Sequence, residues 1–209
     1  AANTYDELGR LSGKSLHGLA SNKLAYAYNI RNWIESISSG GLFNISLYYG
    51  YNGNVSRMVC RCPGDNKTYG YNFAYDNLSR LTSAQSLIGG VITLGYATNY
   101  SYDKNGNLLH LRRGGQTGLS GTGIIDNLSF TLNGNQLKSV NDDATATASN
   151  GFEFKDGAKL ATEYMYDANG SLIKDLNKGI EIQYNLLNLP VRSVSQMEVP
   201  SLILMVRME

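Results

Sequence analysis

Histidine, aspartate, serine and cysteine are the side chains through which this sequence would do chemistry, and their spacing argues against it. His17 and His110 each stand alone in their segments, and general acid–base catalysis needs a partner within hydrogen-bond reach. Ser120 lies in GLSGTG, but a nucleophile elbow requires glycine two residues after the serine, and Thr122 holds that place. The glycines of the same stretch do not lead from a strand into a helix, as a phosphate-binding loop does. Cys60 and Cys62 would point to one face of a strand, with no second pair to complete a zinc site. Two cysteines also make no disulfide framework, so they do not settle the compartment.

Four aspartates, Asp6, Asp76, Asp103 and Asp167, each follow a tyrosine. Calcium binding or paired-carboxylate catalysis would require them to converge. Their spacing spreads them along the chain, and a turn-forming role explains them. Trp33, Arg112 and Arg113 are the candidate ligand contacts. Trp33 could stack on a sugar, and the arginines could meet a phosphate or an acidic glycan. Burial of Trp33 and a solvated hairpin tip at Arg112 and Arg113 are the plainer expectations. The chain is therefore expected to be no enzyme, with no metal and no cofactor.

What must position these residues is an internal repeat. Anchored on one aromatic or apolar position, the phrases are YDELGRL at Tyr5, YNIRNWI at Tyr28, YNGNVSR at Tyr51 and YDNLSRL at Tyr75. They continue with YDKNGNL at Tyr102, LNGNQLK at Leu132, YDANGSL at Tyr166 and YNLLNLP at Tyr184. Two residues before most anchors stands another apolar side chain, as in Tyr26/Tyr28, Tyr49/Tyr51, Phe73/Tyr75 and Tyr164/Tyr166. A spacing of two places both on one face of a strand. Asp or Asn follows the anchor and favours a turn. Asn-Gly occurs at 52–53, 105–106, 133–134, 150–151 and 169–170, and both residues tolerate positive φ. An apolar residue then restarts the alternation, at Leu11, Leu81, Leu108, Leu137 and Leu172. Each phrase thus predicts a strand end, a turn and a strand start. A lone hairpin is marginal in water, so the units must stack side by side.

Residues 26–37 also fit a helical stripe through Tyr26, Ile30, Trp33, Ile34 and Ile37, but the repeat register argues for strand and turn. The polar stretches 112–124 and 141–151 read as inserted loops between strands, or as locally disordered. The composition agrees with strands and tight turns: among 209 residues there are 15 Tyr, 23 Gly and 3 Pro, with 17% charged. A formal net charge of +1 gives no nucleic-acid footprint. No apolar run is long enough to span a membrane as a helix, and the opening residues show no signal peptide.

The phrase Tyr5-Asp6-x-x-Gly9-Arg10-Leu11 resembles the signature of the RHS/YD-repeat family, and Bacteroides-type members in particular. Tyr75, Asp76 and Arg80 match it with Ser79 in place of Gly; Tyr102, Asp103 and Gly106, and Tyr166, Asp167 and Gly170, match it with Asn or Ser in place of Arg. The resemblance covers about residues 4–194. It implies an all-β fold of antiparallel β-hairpin repeats, forming an open, curled strip that is part of a hollow shell. It further implies a secreted or cell-surface scaffold that encloses or displays a C-terminal toxin or effector domain, or a surface that contacts glycans or another cell. The implied partners are further repeats and that effector, with self-association through open sheet edges. The plug, core segment and aspartyl autoprotease that accompany such repeats have no counterpart in the sequence.

After Pro190 the pattern breaks. The stretch SQMEVPSLILMVRME holds Met197, Met205 and Met208, each followed by Glu or Val. Methionine codons end in G, and Glu and Val codons begin with GA or GT, so a frame starting at the third base reads glycine at all three junctions. Permitted codons then spell another YD-type phrase. Residues 1–194 are accordingly expected to form the repeat domain, and 195–209 a tail that is out of frame. The competing expectation is a genuine final strand, SLILMV.

Overall fold

The computed structural model describes residues 2–17, 19, 23–64, 66–149 and 153–195. The tail from residue 196 onward, and the Asn-Gly at 150–151, lie outside the described residues. Strands and turns account for the ordered structure, and no described residue is helical. Among the described residues no helix is long and apolar enough to cross a membrane.

The chain divides into two compact units, residues 1–99 and 100–209. The first contains β1 (Ala2–Tyr5), β2 (Leu11–Ser15), β3 (Lys23–Tyr28), β4 (Ile34–Ser39), β5 (Phe43–Tyr49), β6 (Val55–Cys62), β7 (Lys67–Tyr75) and β8 (Leu81–Ile88), with most of β9 (Val91–Tyr102). Each strand pairs antiparallel with the next in chain order. The helical alternative for 26–37 is excluded, since Tyr26 and Tyr28 end β3 and Ile34 opens β4. Burial alternates along β3, where Leu24, Tyr26 and Tyr28 are half-buried and the residues between them exposed. Full burial of apolar side chains is rare here, with Ala84 and Leu87 the examples. Much of the cohesion therefore comes from ladder hydrogen bonds and half-buried cross-strand neighbours.

The second unit contains β10 (Leu108–Gln116), β11 (Thr122–Asn133) and β12 (Gln136–Asp142), then β13 (Tyr164–Tyr166), β14 (Leu172–Asp175), β15 (Ile180–Tyr184) and β16 (Pro190–Ser195). β10, β11 and β12 pair antiparallel in order, and β13 to β16 form a separate four-stranded sheet. Here the structure corrects the expected loop at 112–124. Arg112 and Arg113 are not at a hairpin tip; they lie within β10, opposite Asn127 and Asp126, and the turn is confined to 117–121. Gly115 permits this, because a Cβ there would stand 2.4 Å from the Ile125 side chain. Ile125, Leu128 and Val140 supply the buried apolar residues. Residues 143–149 and 153–163 pair in no strand and run as a strap over this unit.

Candidate functional site

The repeated turn is the one constellation that the fold builds over and over. Asp6 follows β1 and closes a three-residue loop: its N–H donates to the Arg10 carbonyl at 2.8 Å, and the Gly9 N–H donates back to the Asp6 carbonyl at 2.9 Å. Oδ1 of Asp6 accepts the N–H groups of Leu8 and Arg10 at 3.0 and 2.8 Å. Gly9 has φ +76°, which is the left-handed residue of a type I turn with a following bulge. The strand register slips between Thr4 and Tyr5, where that bulge falls.

The same backbone and Oδ1 bonds recur at Asn29, Asp76, Asp103, Asp167 and Asn185. The left-handed place is taken in turn by Asn32, Ser79, Gly106, Gly170 and Asn188. At two of the turns a guanidinium completes the carboxylate: Arg10 and Arg80 each place Nε 2.6 Å from Oδ2 of Asp6 and Asp76. At Asp103 the Asn107 amide does so at 2.9 Å. Partial burial works to raise the pKa of Asp6, and the amides of Arg10 and Leu8 with the Arg10 guanidinium outweigh it, leaving the carboxyl below its ordinary value. Asp76 is held low first by the Arg80 amide, and Asp103 by the Asn107 side chain. These aspartates are spent on their own turns.

The anchor tyrosines link one hairpin to the one before it. The hydroxyls of Tyr28, Tyr49, Tyr75, Tyr166 and Tyr184 donate to the carbonyls of Leu11, Ile34, Val55, Leu137 and Leu172 at 2.9, 2.6, 2.9, 3.0 and 2.9 Å. Leu11, Ile34, Val55 and Leu172 are each the first strand residue after the preceding turn, and Leu137 is the second residue of β12. Burial pushes the Tyr49, Tyr75 and Tyr166 phenols up, as expected of rings tucked against the sheet. Turn side chains also reach forward: Arg10 donates to Asn32 Oδ1 at 2.6 Å, Arg31 to the Tyr51 carbonyl at 3.0 Å, and Asn107 to Asn135 Oδ1 at 3.0 Å.

At the third phrase the register differs from the sequence reading. Tyr51 lies off the strand in the turn and is 98% exposed. Tyr49 is the anchor, and Gly50 stands where the other turns have Asp or Asn. Aligning on Asn-Gly would have found this, since Gly50-Tyr51-Asn52-Gly53-Asn54 matches Asp103-Lys104-Asn105-Gly106-Asn107. With no carboxylate at position 50, Asn52 Oδ1 accepts the Asn54 N–H instead at 3.2 Å, and Asn54 Nδ2 is buried without a partner. A cavity of about 440 Å³ opens there, lined by Asn54, Ser56, Tyr75 and Asp76 among others. The sixth phrase also departs: Asn133 and Gln136 pair directly around Gly134 and Asn135, a two-residue turn.

The candidate ligand contacts are dispersed. Trp33 is half-buried, with its ring 5.0 Å from that of Tyr49 and the Arg31 guanidinium 5.1 Å from its own centroid. Arg112 is exposed on β10, while Arg113 pairs with Asp126 at 2.5 Å. His110 Nδ1 lies 3.2 Å from Ser129 Oγ, and the Cys60 and Cys62 sulfurs lie 3.7 Å apart, with burial raising the Cys60 thiol. Among the described residues no three His, Cys, Asp or Glu side chains gather as a metal set.

Sequence reasoning missed the two most buried carboxylates, both in the second unit. Asp126, 2% exposed, also accepts the Phe154 N–H at 2.7 Å. Glu163, 1% exposed, accepts from the amides of Val140 and Leu160 and the side chain of Asn177 at 2.9, 3.1 and 2.7 Å. Its own N–H donates to Lys138 and its carbonyl accepts from Leu176. Together they fasten the strap. No local pattern announces them, because apart from Leu160 their side-chain partners lie 13 to 28 residues away.

No family model matches the sequence, and no curated protein matches it. Solved structures do match. The crystal structure of TcdB2-TccC3-Cdc42 aligns over 94% of this chain with TM-score 0.61 and 16% identity. The Photorhabdus luminescens Tc holotoxin pore aligns over 94% with TM-score 0.59 and 15% identity. The crystal structure of TcdB2-TccC3-TEV aligns over 95% with TM-score 0.60 and 14% identity. The chain spans 11% of the length of each. At these identities the likeness establishes the fold, which is that of RHS-type hairpin repeats.

Proposed function

We propose that this chain is a structural repeat scaffold without enzymatic activity, part of an RHS-type shell that encloses or displays an effector domain. The observation that carries the reading is the tyrosine bridge. Five anchor tyrosines hand their hydroxyls to the hairpin before them, and the turn aspartates Asp6, Asp76, Asp103 and Asp167 hold their own loops. Polar groups used this way build a wall. In this reading the protein acts outside the cell or on its surface, and its partners are further repeats and the effector. The test is to express the longest reading frame that carries these residues, image the product by cryo-electron microscopy, and digest it with protease. A closed wall with a protected downstream segment supports the scaffold. A downstream segment cut as fast as it is in isolation overturns it.

A second reading, an extracellular module that contacts glycans, draws on Tyr51. That ring is 98% exposed, and its neighbours Gly50 and Asn52 line the polar cavity. Retention on a glycan array that Tyr51→Ala abolishes would favour it; no retention would end it.

A further inference from the structure

The scaffold makes no use of the chain's two cysteines. Cys60 and Cys62 stand on β6 with their sulfurs 3.7 Å apart, and both are half-buried. An extended strand spaces the Cβ atoms of residues two apart by about 6.7 Å, whereas a disulfide needs about 3.8 Å. The ladders to β5 and β7 pass Met58 and Cys60 without a register shift, so β6 is held extended from both sides. The pair is thus kept open as a dithiol. Its separation suits two sulfurs on one metal ion: with bonds of about 2.3 Å, tetrahedral to trigonal angles place them roughly 3.8–4.0 Å apart. Met58, also half-buried, lies two residues before Cys60 and so on the same face. Leu47 and Tyr71 flank Met58 across the ladders, Ile45 and Tyr69 flank Cys60, and Lys67 is the register partner of Cys62. No third His, Cys, Asp or Glu among the described residues joins the pair, so a zinc shell is not completed.

We propose that Met58, Cys60 and Cys62 bind one soft monovalent cation, copper(I). Thiolate and thioether are the ligands that this ion selects, and it is satisfied by two or three donors where zinc needs four. On binding, the two thiol protons pass to solvent, two sulfur–copper bonds form, and no electron is transferred. Two thiolates leave the loaded site with excess negative charge, which the ammonium of Lys67 opposite Cys62 offsets. The apolar and aromatic neighbours on β5 and β7 favour a soft ion over a strongly hydrated one. The site rests on β5, β6 and β7 alone and is independent of the shell reading.

Titration of the reduced 209-residue chain with copper(I), without oxygen and against the chelator bicinchoninate, tests it. One copper(I) per chain should leave the chelator, with an ultraviolet thiolate-to-copper charge-transfer band. Cys60→Ser and Cys62→Ser should each weaken binding at least about a hundredfold, and Met58→Leu, which keeps the side-chain volume, about tenfold. Zinc(II), offered against a chelator of its own, should not be retained. Copper(I) that stays on the chelator overturns the proposal. So does a double variant Cys60→Ser/Cys62→Ser that binds like the parent, one ion shared by two chains, or zinc(II) held as firmly. Met58→Leu binding as tightly as the parent overturns the three-donor set. Circular dichroism checks folding, and alkylation read by mass spectrometry needs no variant. One equivalent of copper(I) should protect both cysteines of the parent chain; alkylation of both at the metal-free rate again overturns the proposal.

Discussion

The hydroxyl of Tyr75 donates to the carbonyl oxygen of Val55 at 2.9 Å, beyond the point where the ladder between β6 and β7 stops at Arg57 and Asn72. The side chain takes over where backbone pairing ends. Tyr28 with Leu11, Tyr49 with Ile34 and Tyr184 with Leu172 do the same beyond the last pairs of β2–β3, β4–β5 and β14–β15. A sheet of hairpins diverges at its turns, and tyrosine is long enough to cross the gap with a donor at its tip.

Ser79 occupies the left-handed place of its turn with φ +60°, where Gly9, Gly106 and Gly170 stand in equivalent turns. A side chain there is strained by about 1 kcal/mol, which glycine relieves at some cost in unfolded-chain entropy. Ser79→Gly should raise the urea midpoint, by about 0.5 kcal/mol in stability. A lowered midpoint would show that the serine side chain supports the turn.

Gly50 leaves both a cavity and an unpaired amide on Asn54. Its φ lies outside the left-handed region, and a new Cβ would meet the movable end of Asn52 at 3.0 Å. Gly50→Asp should therefore restore the ordinary turn and gain about 0.5–1 kcal/mol, read from chemical denaturation. Loss of stability would mean that the third turn cannot adopt the common geometry.

These two cases show how much was legible in the sequence. Hairpins, their order and the turn role of Asp6, Asp76, Asp103 and Asp167 follow from local spacing, because a turn is a local structure. The register at Tyr49 was hidden because Tyr51 presents the same residue type two places on, where alternation cannot tell them apart. Arg113 and Glu163 were opaque for another reason. Their partners, Asp126 and Val140, are fixed by strand pairing and by the strap, which no short window encodes.

Acid should weaken the first unit. Asp6 and Asp76 have carboxyls below their ordinary value, so the folded state favours the charged form. Their contribution is present in full above the unfolded pKa of about 4 and is lost as pH falls through the lower folded value. Urea midpoints should hold from pH 7 to pH 5 and drop toward pH 3. Asp76→Asn should flatten that drop, since Asn29 and Asn185 show that asparagine makes the same turn. An undiminished drop in the double variant Asp6→Asn/Asp76→Asn would place the acid sensitivity elsewhere.

Glu163 holds three donors while almost wholly buried. Glu163→Ala strands them and should cost on the order of 3 kcal/mol, with Glu163→Gln milder because one acceptor oxygen is kept. Hydrogen exchange should quicken first at the amides of Val140 and Leu160. Exchange that is unchanged there would mean that the strap is fastened by Asp126 alone.

The central claim is that anchor tyrosines hold hairpin to hairpin, and the most direct measurement is the unfolding free energy of Tyr28→Phe, Tyr49→Phe and Tyr75→Phe beside Tyr51→Phe. Each bridging hydroxyl removed should cost about 1 kcal/mol, and the three together about their sum, because the sites share no partner. Tyr51→Phe should cost nothing measurable. Bridging substitutions without cost, or a Tyr51→Phe variant as unstable as the others, would contradict the account.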